Sequence, residues 1–178
     1  MNKLMAQLQN ADITGQNRRL DLAAELREVV AAKRVGSPVP SLRLEVDEIA
    51  VSAEPERLSA VIGHVIQNAQ DATPADGSVE VILRESDGQA IVDIRDTGCG
   101  MDAEFVKTRL FRPFDSTKGL TGMGIGAYEC REVISALGGQ VVVDSVPGRG
   151  TSFRLLLPRL QESPTTETNK LEGSVNSG

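Results

Sequence analysis

Apolar residues recur along the chain with two periods, one typical of strands and one typical of helices. Period-two alternation predicts main strands at residues 42–46, 79–84, 90–95, 140–145 and 151–157, and short strands at 18–22 and 49–51. Spacings of three and four predict helices at residues 23–34, 54–73, 102–109 and 125–137. Glycine-containing turns predict one hairpin of residues 79–84 with 90–95 and another of residues 140–145 with 151–157. Segment 49–51 is predicted to pair with 42–46.

This pattern predicts an α+β fold. About five main strands form a mixed, mostly antiparallel sheet, and three helices cover one of its faces as a two-layer α/β sandwich. Residues 18–158 form the predicted domain. Residues 1–17 are interpreted as the end of a longer helix followed by a linker, because Leu4, Met5 and Leu8 share one helical face. Residues 159–178 are polar and are predicted to be a disordered tail.

Composition excludes several classes of protein. The net charge of −6 argues against a broad nucleic-acid surface. The two cysteines, Cys99 and Cys130, make neither a disulfide framework nor a C-x-x-C metal motif. There is no apolar run of the ~18 residues that a membrane span requires. We therefore expect this polypeptide to be cytoplasmic and to make no membrane contact itself, although a longer parent chain can be membrane-anchored.

Two glycine-rich turns carry the candidate chemistry. Asp96 to Gly100 follows a predicted strand, and Gly122 to Gly126 opens a predicted helix. Glycines allow close approach of backbone N–H groups to a phosphate, and a helix N-terminus favours negative charge. The sequence lacks the P-loop motif, and the acidic residue precedes its glycines, unlike a dinucleotide-binding fingerprint. A nucleotide pocket of another kind, with a mobile cover between the two turns, is predicted.

Five short motifs in order resemble a known family. They read HVIQNA, DTGCGM, LFRPF, GMGIG and GRGTSF. This series resembles the N, G1, F, G2 and G3 boxes of the ATP-binding domain of sensor histidine kinases, which share the Bergerat fold with gyrase, Hsp90 and MutL ATPases. The resemblance extends over residues 20–158. The F box and the FDSTK run favour the kinase branch, of the nitrogen-regulation or exopolysaccharide-associated type.

The resemblance implies roles for the polar residues. Asn68 would coordinate Mg²⁺ beside the ATP phosphates, where few protein ligands are needed. His64, four residues earlier, would lie near the phosphates; a structural histidine and a phosphoacceptor are the alternatives. Asp96 would accept a hydrogen bond from the adenine amino group, or would only cap the following turn. Asp93 has no motif support and is expected to face solvent.

Further roles fall on the lid and on the glycines. Phe114 and Lys118 would belong to the lid, with Lys118 reaching phosphate oxygens, whereas Phe111 belongs to the lid or to the core. Gly98 and Gly100 would let the backbone pass under the base, Cys99 would only fill space, and Thr151 would lie near the base. Arg112 would contact phosphate, a partner domain or only solvent. The predicted phosphate-binding segment consists of Gly122, Met123, Gly124, Ile125 and Gly126.

The resemblance therefore implies the catalytic domain of a two-component histidine kinase, with ATP and Mg²⁺ as cofactors. It would transfer the γ-phosphoryl group to a histidine on a separate dimerisation domain, whose last helix would end within residues 1–17. A response regulator would be the downstream partner. The alternatives are a related ATPase or a nucleotide-binding module without kinase activity. Gyrase and Hsp90 carry a glutamate at the position of His64, which argues against efficient water activation here.

Overall fold

The computed structural model describes residues 16–113 and 123–162, and of residues 123–125 only the backbone. Its helices are α1 (Leu22–Ala32), α2 (Pro55–Ala72), α3 (Ala103–Thr108) and α4 (Met123–Ala136), and a 3₁₀ turn (Lys33–Val35) follows α1. Its strands are β1 (Arg18–Asp21), β2 (Ser41–Leu44), β3 (Ala50–Ala53), β4 (Val79–Ser86), β5 (Gln89–Asp96), β6 (Gln140–Val146) and β7 (Gly150–Pro158). Among these helices, none has the length and apolar character to cross a membrane.

Five strands form a mixed sheet in the order β2-β4-β5-β7-β6. Strand β2 runs parallel to β4, and the other neighbours are antiparallel. The hairpin from β4 to β5 turns through Asp87 and Gly88, which have φ angles of 53° and 73°. An Asp-Gly pair suits this turn because Asp tolerates and Gly favours the left-handed region. The predicted mixed, mostly antiparallel sheet is confirmed.

The pairing predicted for the segment at 49–51 was wrong. Strand β3 pairs antiparallel with β1 in a separate two-stranded sheet, where Leu20 lies opposite Val51. The Asp21 side chain holds this corner, because its Oδ1 accepts hydrogen bonds from the amides of Ala23 and Ile49 at 3.1 and 3.2 Å. The same carboxylate therefore caps α1 and fixes the start of β3, which leaves β2 to pair with β4.

Helices α1, α2 and α4 supply one layer of the domain and the five-stranded sheet supplies the other. Leu58, Ile62 and Ile66 recur every four residues along α2 and are fully buried. They belong to one continuous core with the alternate residues of β4, β5 and β7, which include Val81, Leu83, Val92, Ile94, Leu155 and Leu157. Burying a side chain of this size stabilises the fold by about 1.5–3 kcal/mol, so this stripe fixes α2 on the sheet.

Asp93 lies on the opposite face of the sheet, and the prediction made for it was wrong. We expected it to face solvent, but its side chain is completely buried. Its Oδ2 accepts hydrogen bonds from Nε and Nη2 of Arg95 at 2.9 and 2.7 Å, and its Oδ1 accepts one from Ser152 Oγ at 2.7 Å. A buried carboxylate is tolerated when charged and polar donors satisfy it in this way. The same hydrogen bond raises the pKa of Arg95.

Candidate nucleotide-binding site

A pocket with a cavity volume of about 30 Å³ lies between α2, the end of β5, the start of β7 and the first turns of α4. Most of its lining is apolar, and three polar side chains enter it: Asn68, Asp96 and Thr151. These three are separated by up to 83 residues in the chain, yet all were predicted site residues. An apolar cavity with a few convergent polar groups is the usual form of a small-molecule site. A larger cavity of about 510 Å³ lies at Leu58 and Leu137, but none of the predicted site residues lines it.

The start of α4 lies directly against the polar face of α2. A Cβ atom built on Gly126 would be 3.3 Å from Asn68 Nδ2 and 3.6 Å from His64 Cβ. His64 is exposed, whereas Asn68 is half-buried. The N-terminal end of a 14-residue helix and the Asn68 amide are therefore brought to one place. Exposed amides and the dipole of such a helix end favour an anion, and a neighbouring amide oxygen suits a hard cation.

The loop after β5 is wedged between the end of α2 and the turn from β6 to β7. The Cys99 amide donates to the Ala72 carbonyl at 3.0 Å, and the Cys99 carbonyl accepts from the Gly148 amide at 2.7 Å. A Cβ atom on Gly98 would lie 2.3 Å from Ala72 O, and one on Gly100 would lie 2.1 Å from Val146 O. Backbone contacts within the protein therefore require glycine at both positions, independently of any role of Gly98 and Gly100 beneath a nucleotide base.

Asp96 ends β5 at the mouth of this loop. Its Oδ1 accepts a hydrogen bond from the Gly98 amide at 2.9 Å, so Asp96 does cap the following turn. A carboxylate has two oxygens and about four acceptor sites, so capping the turn is compatible with accepting a further hydrogen bond from a base. The structure thus shows the capping contact and leaves the carboxylate at the pocket wall.

Thr151 lies directly opposite Asp96 in the pairing of β5 with β7. Its Oγ1 is 2.8 Å from Ser145 Oγ on β6. The preceding residue, Gly150, has a φ of 112°, and a Cβ there would lie 2.0 Å from Asp96 O. Glycine at this position lets the two strands meet closely, so that a carboxylate and a hydroxyl stand side by side at one end of the pocket.

A family model matches this chain over the segment that contains these residues. The model describes histidine kinase-, DNA gyrase B- and HSP90-like ATPases, and it matches residues 53–161, which is more than half of the chain. The chain belongs to this ATPase family. The matched segment includes Asn68, Asp96, Gly126 and Thr151, so the pocket lies entirely within the family domain.

Relatives with curated names are sensor kinases. The chain is 36% identical over 109 residues to the signal transduction histidine-protein kinase AtoS of Escherichia coli (strain K12), covering 61% of this chain and 18% of that protein. It is 35% identical over 109 residues to the sensor histidine kinase ZraS of Klebsiella oxytoca, covering 61% of this chain and 23% of that protein. The chain thus spans about a fifth of the length of these relatives.

Solved structures of histidine kinases share the fold of this ATPase domain. The nucleotide-free catalytic domain of ThkA has a TM-score of 0.69 at 22% identity, covering 83% of this chain and 99% of that one. Full-length ShkA in complex with AMPPNP has a TM-score of 0.72 at 22% identity, covering 85% and 33%. ThkA in complex with the response regulator protein TrrA has a TM-score of 0.68 at 19% identity, covering 89% and 47%.

Several predicted site residues of the ATPase domain fall outside the pocket or outside the described residues. Phe114, Lys118 and Gly122, and with them the predicted lid, lie outside the described residues. Met123, Gly124 and Ile125 are placed only as the first residues of α4.

The structure does place the other candidates. Phe111 packs against the core, with its ring centroid 6.3 Å from that of Phe153 and the Arg131 guanidinium 4.6 Å above it. Arg112 is exposed. Cys99 is also exposed, so the prediction that it only fills space was wrong.

Sequence reasoning missed the apolar walls of the ATPase pocket. Met101, Leu110 and Phe153 line it together with residues of α2 and α4. In the structure Leu110 is only 1% exposed and Phe153 only 8%. In the sequence, both fit the apolar pattern of ordinary core residues. The only available signal was their position within or beside the motifs, because periodicity does not separate a pocket wall from a packed core.

The donor set of the ATPase site suits magnesium held mainly by phosphate. Within residues 16–113 and 123–162, no cluster of three or more His, Cys, Asp or Glu side chains is arranged to hold a metal. Mg²⁺ keeps several waters and takes few protein ligands when phosphates are present. The half-buried Asn68 amide facing the start of α4 fits such a site as a single protein ligand.

Proposed function

We propose that this chain is the ATP-binding catalytic domain of a sensor histidine kinase and transfers the γ-phosphoryl group of ATP to a histidine on a separate dimerisation domain. The observation that carries the proposal is the convergence of Asn68, Asp96 and Thr151 on one pocket beside the start of α4. The names of its relatives, AtoS and ZraS, support the kinase branch of the family.

The two ends of the pocket suit the two ends of ATP. At one end, Asp96 accepts the adenine amino hydrogen and Thr151 stands beside it, while apolar walls such as Leu110 pack against the base. At the other end, the first amides of α4 face the phosphates, where the helix N-terminus carries roughly half a positive charge. Asn68 would hold a magnesium ion, which would neutralise phosphate charge.

The kinase is favoured over a gyrase-like or Hsp90-like ATPase by the residue four positions before Asn68. Those ATPases carry a glutamate that activates water, whereas this chain carries His64, which is exposed. General-base assistance contributes typically 10²–10⁴-fold to a rate, so hydrolysis without the carboxylate is slow. An ATP-bound domain that hydrolyses slowly retains the phosphoryl group for a protein acceptor.

The remaining parts of the proposal concern the rest of the protein. We propose that residues 18–158 form the catalytic domain, that residues 1–17 belong to the end of the dimerisation helix and its linker, and that residues 159–178 are a polar tail. Residues 1–15 and 163–178 of this division lie outside the described residues. The partners are the dimerisation domain of the same kinase and a response regulator; the complex of ThkA with TrrA supports the latter. The domain works in the cytoplasm without nucleic acid, and its type is nitrogen-regulation-like or exopolysaccharide-associated.

Base selection tests the proposal. Asp96→Asn replaces a charged acceptor by an amide, and a hydrogen bond to a charged group is worth about 1.5–3 kcal/mol. Calorimetric affinity for ATP should fall at least tenfold, the factor for about 1.4 kcal/mol. Asp87→Asn is the matched control, because Asp87 is exposed in the distant turn from β4 to β5 and its φ of 53° also suits asparagine. Wild-type protein that binds GTP as tightly as ATP would refute the adenine role.

A further inference from the structure

Ser145, near the end of β6, joins three segments at the edge of the pocket. Its Oγ accepts a hydrogen bond from the Met101 amide at 2.8 Å and lies 2.8 Å from Thr151 Oγ1. It also lies 3.2 Å from the Gly150 carbonyl oxygen, to which it can donate. Met101 and Thr151 both line the pocket, whereas Ser145 itself does not. One hydroxyl therefore connects the loop after β5 with the start of β7.

We propose that Ser145 is a positioning residue that directs the Thr151 hydroxyl hydrogen towards the nucleotide base. This inference rests on the proposed ATP site. The Met101 amide can only donate, so Ser145 Oγ is an acceptor in that contact and keeps its own hydrogen for another partner. The shorter of the two remaining contacts is to Thr151 Oγ1. When Ser145 donates there, the Thr151 hydrogen is turned away from Ser145 and is available to an acceptor in the pocket.

This arrangement, in which Ser145 donates to Thr151 and Thr151 donates into the pocket, matches the hydrogen-bonding edge of adenine. Adenine presents the N6 amino donor next to the N1 acceptor, and Asp96 and Thr151 stand directly opposite each other across β5 and β7. An accepting carboxylate beside a donating hydroxyl complements that pair. Guanine presents a carbonyl and an N–H at the same two positions, so it meets a like group at both. Ser145 thus acts on base selection through Thr151, without touching the base.

Three variants separate positioning from general support of the fold. Ser145→Ala removes the hydroxyl that contacts Thr151, Ser145→Thr keeps a hydroxyl there, and Ser152→Ala is the matched control. Ser152 lies in the adjacent strand with its hydroxyl on the opposite face of the sheet, 2.7 Å from Asp93. Its loss removes a partner from a buried carboxylate and should lower the unfolding midpoint without changing nucleotide affinity.

The measurement is calorimetric affinity for ATP and for 1-deaza-ATP, which lacks the N1 acceptor. Ser145→Ala should weaken ATP binding about two- to tenfold, leave 1-deaza-ATP binding unchanged, and have no further effect in a Thr151→Ala background. Ser145→Thr should bind ATP like the wild type.

Two results would overturn the inference while leaving the ATP site intact. One is wild-type ATP affinity in Ser145→Ala; the other is an equal loss for ATP and 1-deaza-ATP, which would make Ser145 a support of the pocket alone. Wild-type protein that binds no ATP would instead overturn the proposed function, and this inference with it.

Discussion

A methyl group added at Gly98 should damage both the fold and the nucleotide site. The Cβ of Gly98→Ala would lie 2.3 Å from Ala72 O, 2.7 Å from Ala72 C and 2.9 Å from Asp96 Oδ1. Two of these contacts are with backbone at the end of α2, so no side-chain rotation relieves them. The loop must move by roughly 1 Å to reach ordinary van der Waals separation. That movement breaks the hydrogen bonds of Gly98 N with Asp96 and of Cys99 N with Ala72.

The expected loss of stability is the sum of the overpacking cost and the cost of the broken hydrogen bonds. Overpacking a tight site costs about 1–3 kcal/mol, and each lost hydrogen bond costs about 0.5–1.5 kcal/mol. Since two hydrogen bonds are lost, we expect urea unfolding to show a loss of about 2–6 kcal/mol for Gly98→Ala, together with at least a tenfold loss of ATP affinity. Gly88→Ala is the control: its φ is 73° with nothing within 4 Å, so it should cost about 1–2 kcal/mol through backbone strain alone and leave ATP affinity unchanged. Wild-type stability in Gly98→Ala would refute the packing argument.

The other predictions concern the metal, the packing of Gly36 against the Gln70 side chain, and the thiols. Asn68→Ala should weaken Mg·ATP binding much more than metal-free ATP binding; equal losses in calorimetry would make Asn68 structural. Gly36→Ala should cost about 1–3 kcal/mol, because its Cβ would lie 2.7 Å from Nε2 of Gln70, which two backbone carbonyls hold at 3.0 Å. This cost should largely disappear in a Gln70→Ala background. Strictly additive losses of stability from the two substitutions would contradict the predicted contact between residue 36 and Gln70. At pH 8 a disulfide reagent should label the exposed Cys99 at once and Cys130 only on unfolding, because burial raises the Cys130 pKa to about 12; equal rates would contradict its burial.

Local patterns predicted the elements that local physics determines. Helix α2 was predicted at residues 54–73 and spans Pro55–Ala72, because three core residues recur every four positions and proline suits its first turn. The hairpin from β4 to β5 follows from alternation around an Asp-Gly turn. Both depend on residues that are close in sequence.

Long-range contacts determine what the sequence did not predict. The pairing of β3 with β1 depends on Asp21, which bonds Ile49 from 28 positions away. The burial of Asp93 depends on Ser152, 59 positions along the chain. Motif order predicted that Asn68, Asp96 and Thr151 belong to one site, but nothing in the spacing indicated Ser145 or Leu110. These residues join the site through strand register and core packing.

Phosphoryl transfer between domains tests the central claim most directly. The isolated chain is incubated with γ-labelled ATP and Mg²⁺, with and without the histidine-bearing dimerisation domain of the parent kinase, and both protein label and free phosphate are followed. We expect acid-labile label on the added domain, none on this chain, and slow phosphate release in its absence. Rapid phosphate release by the isolated chain, or label on His64, would contradict the account.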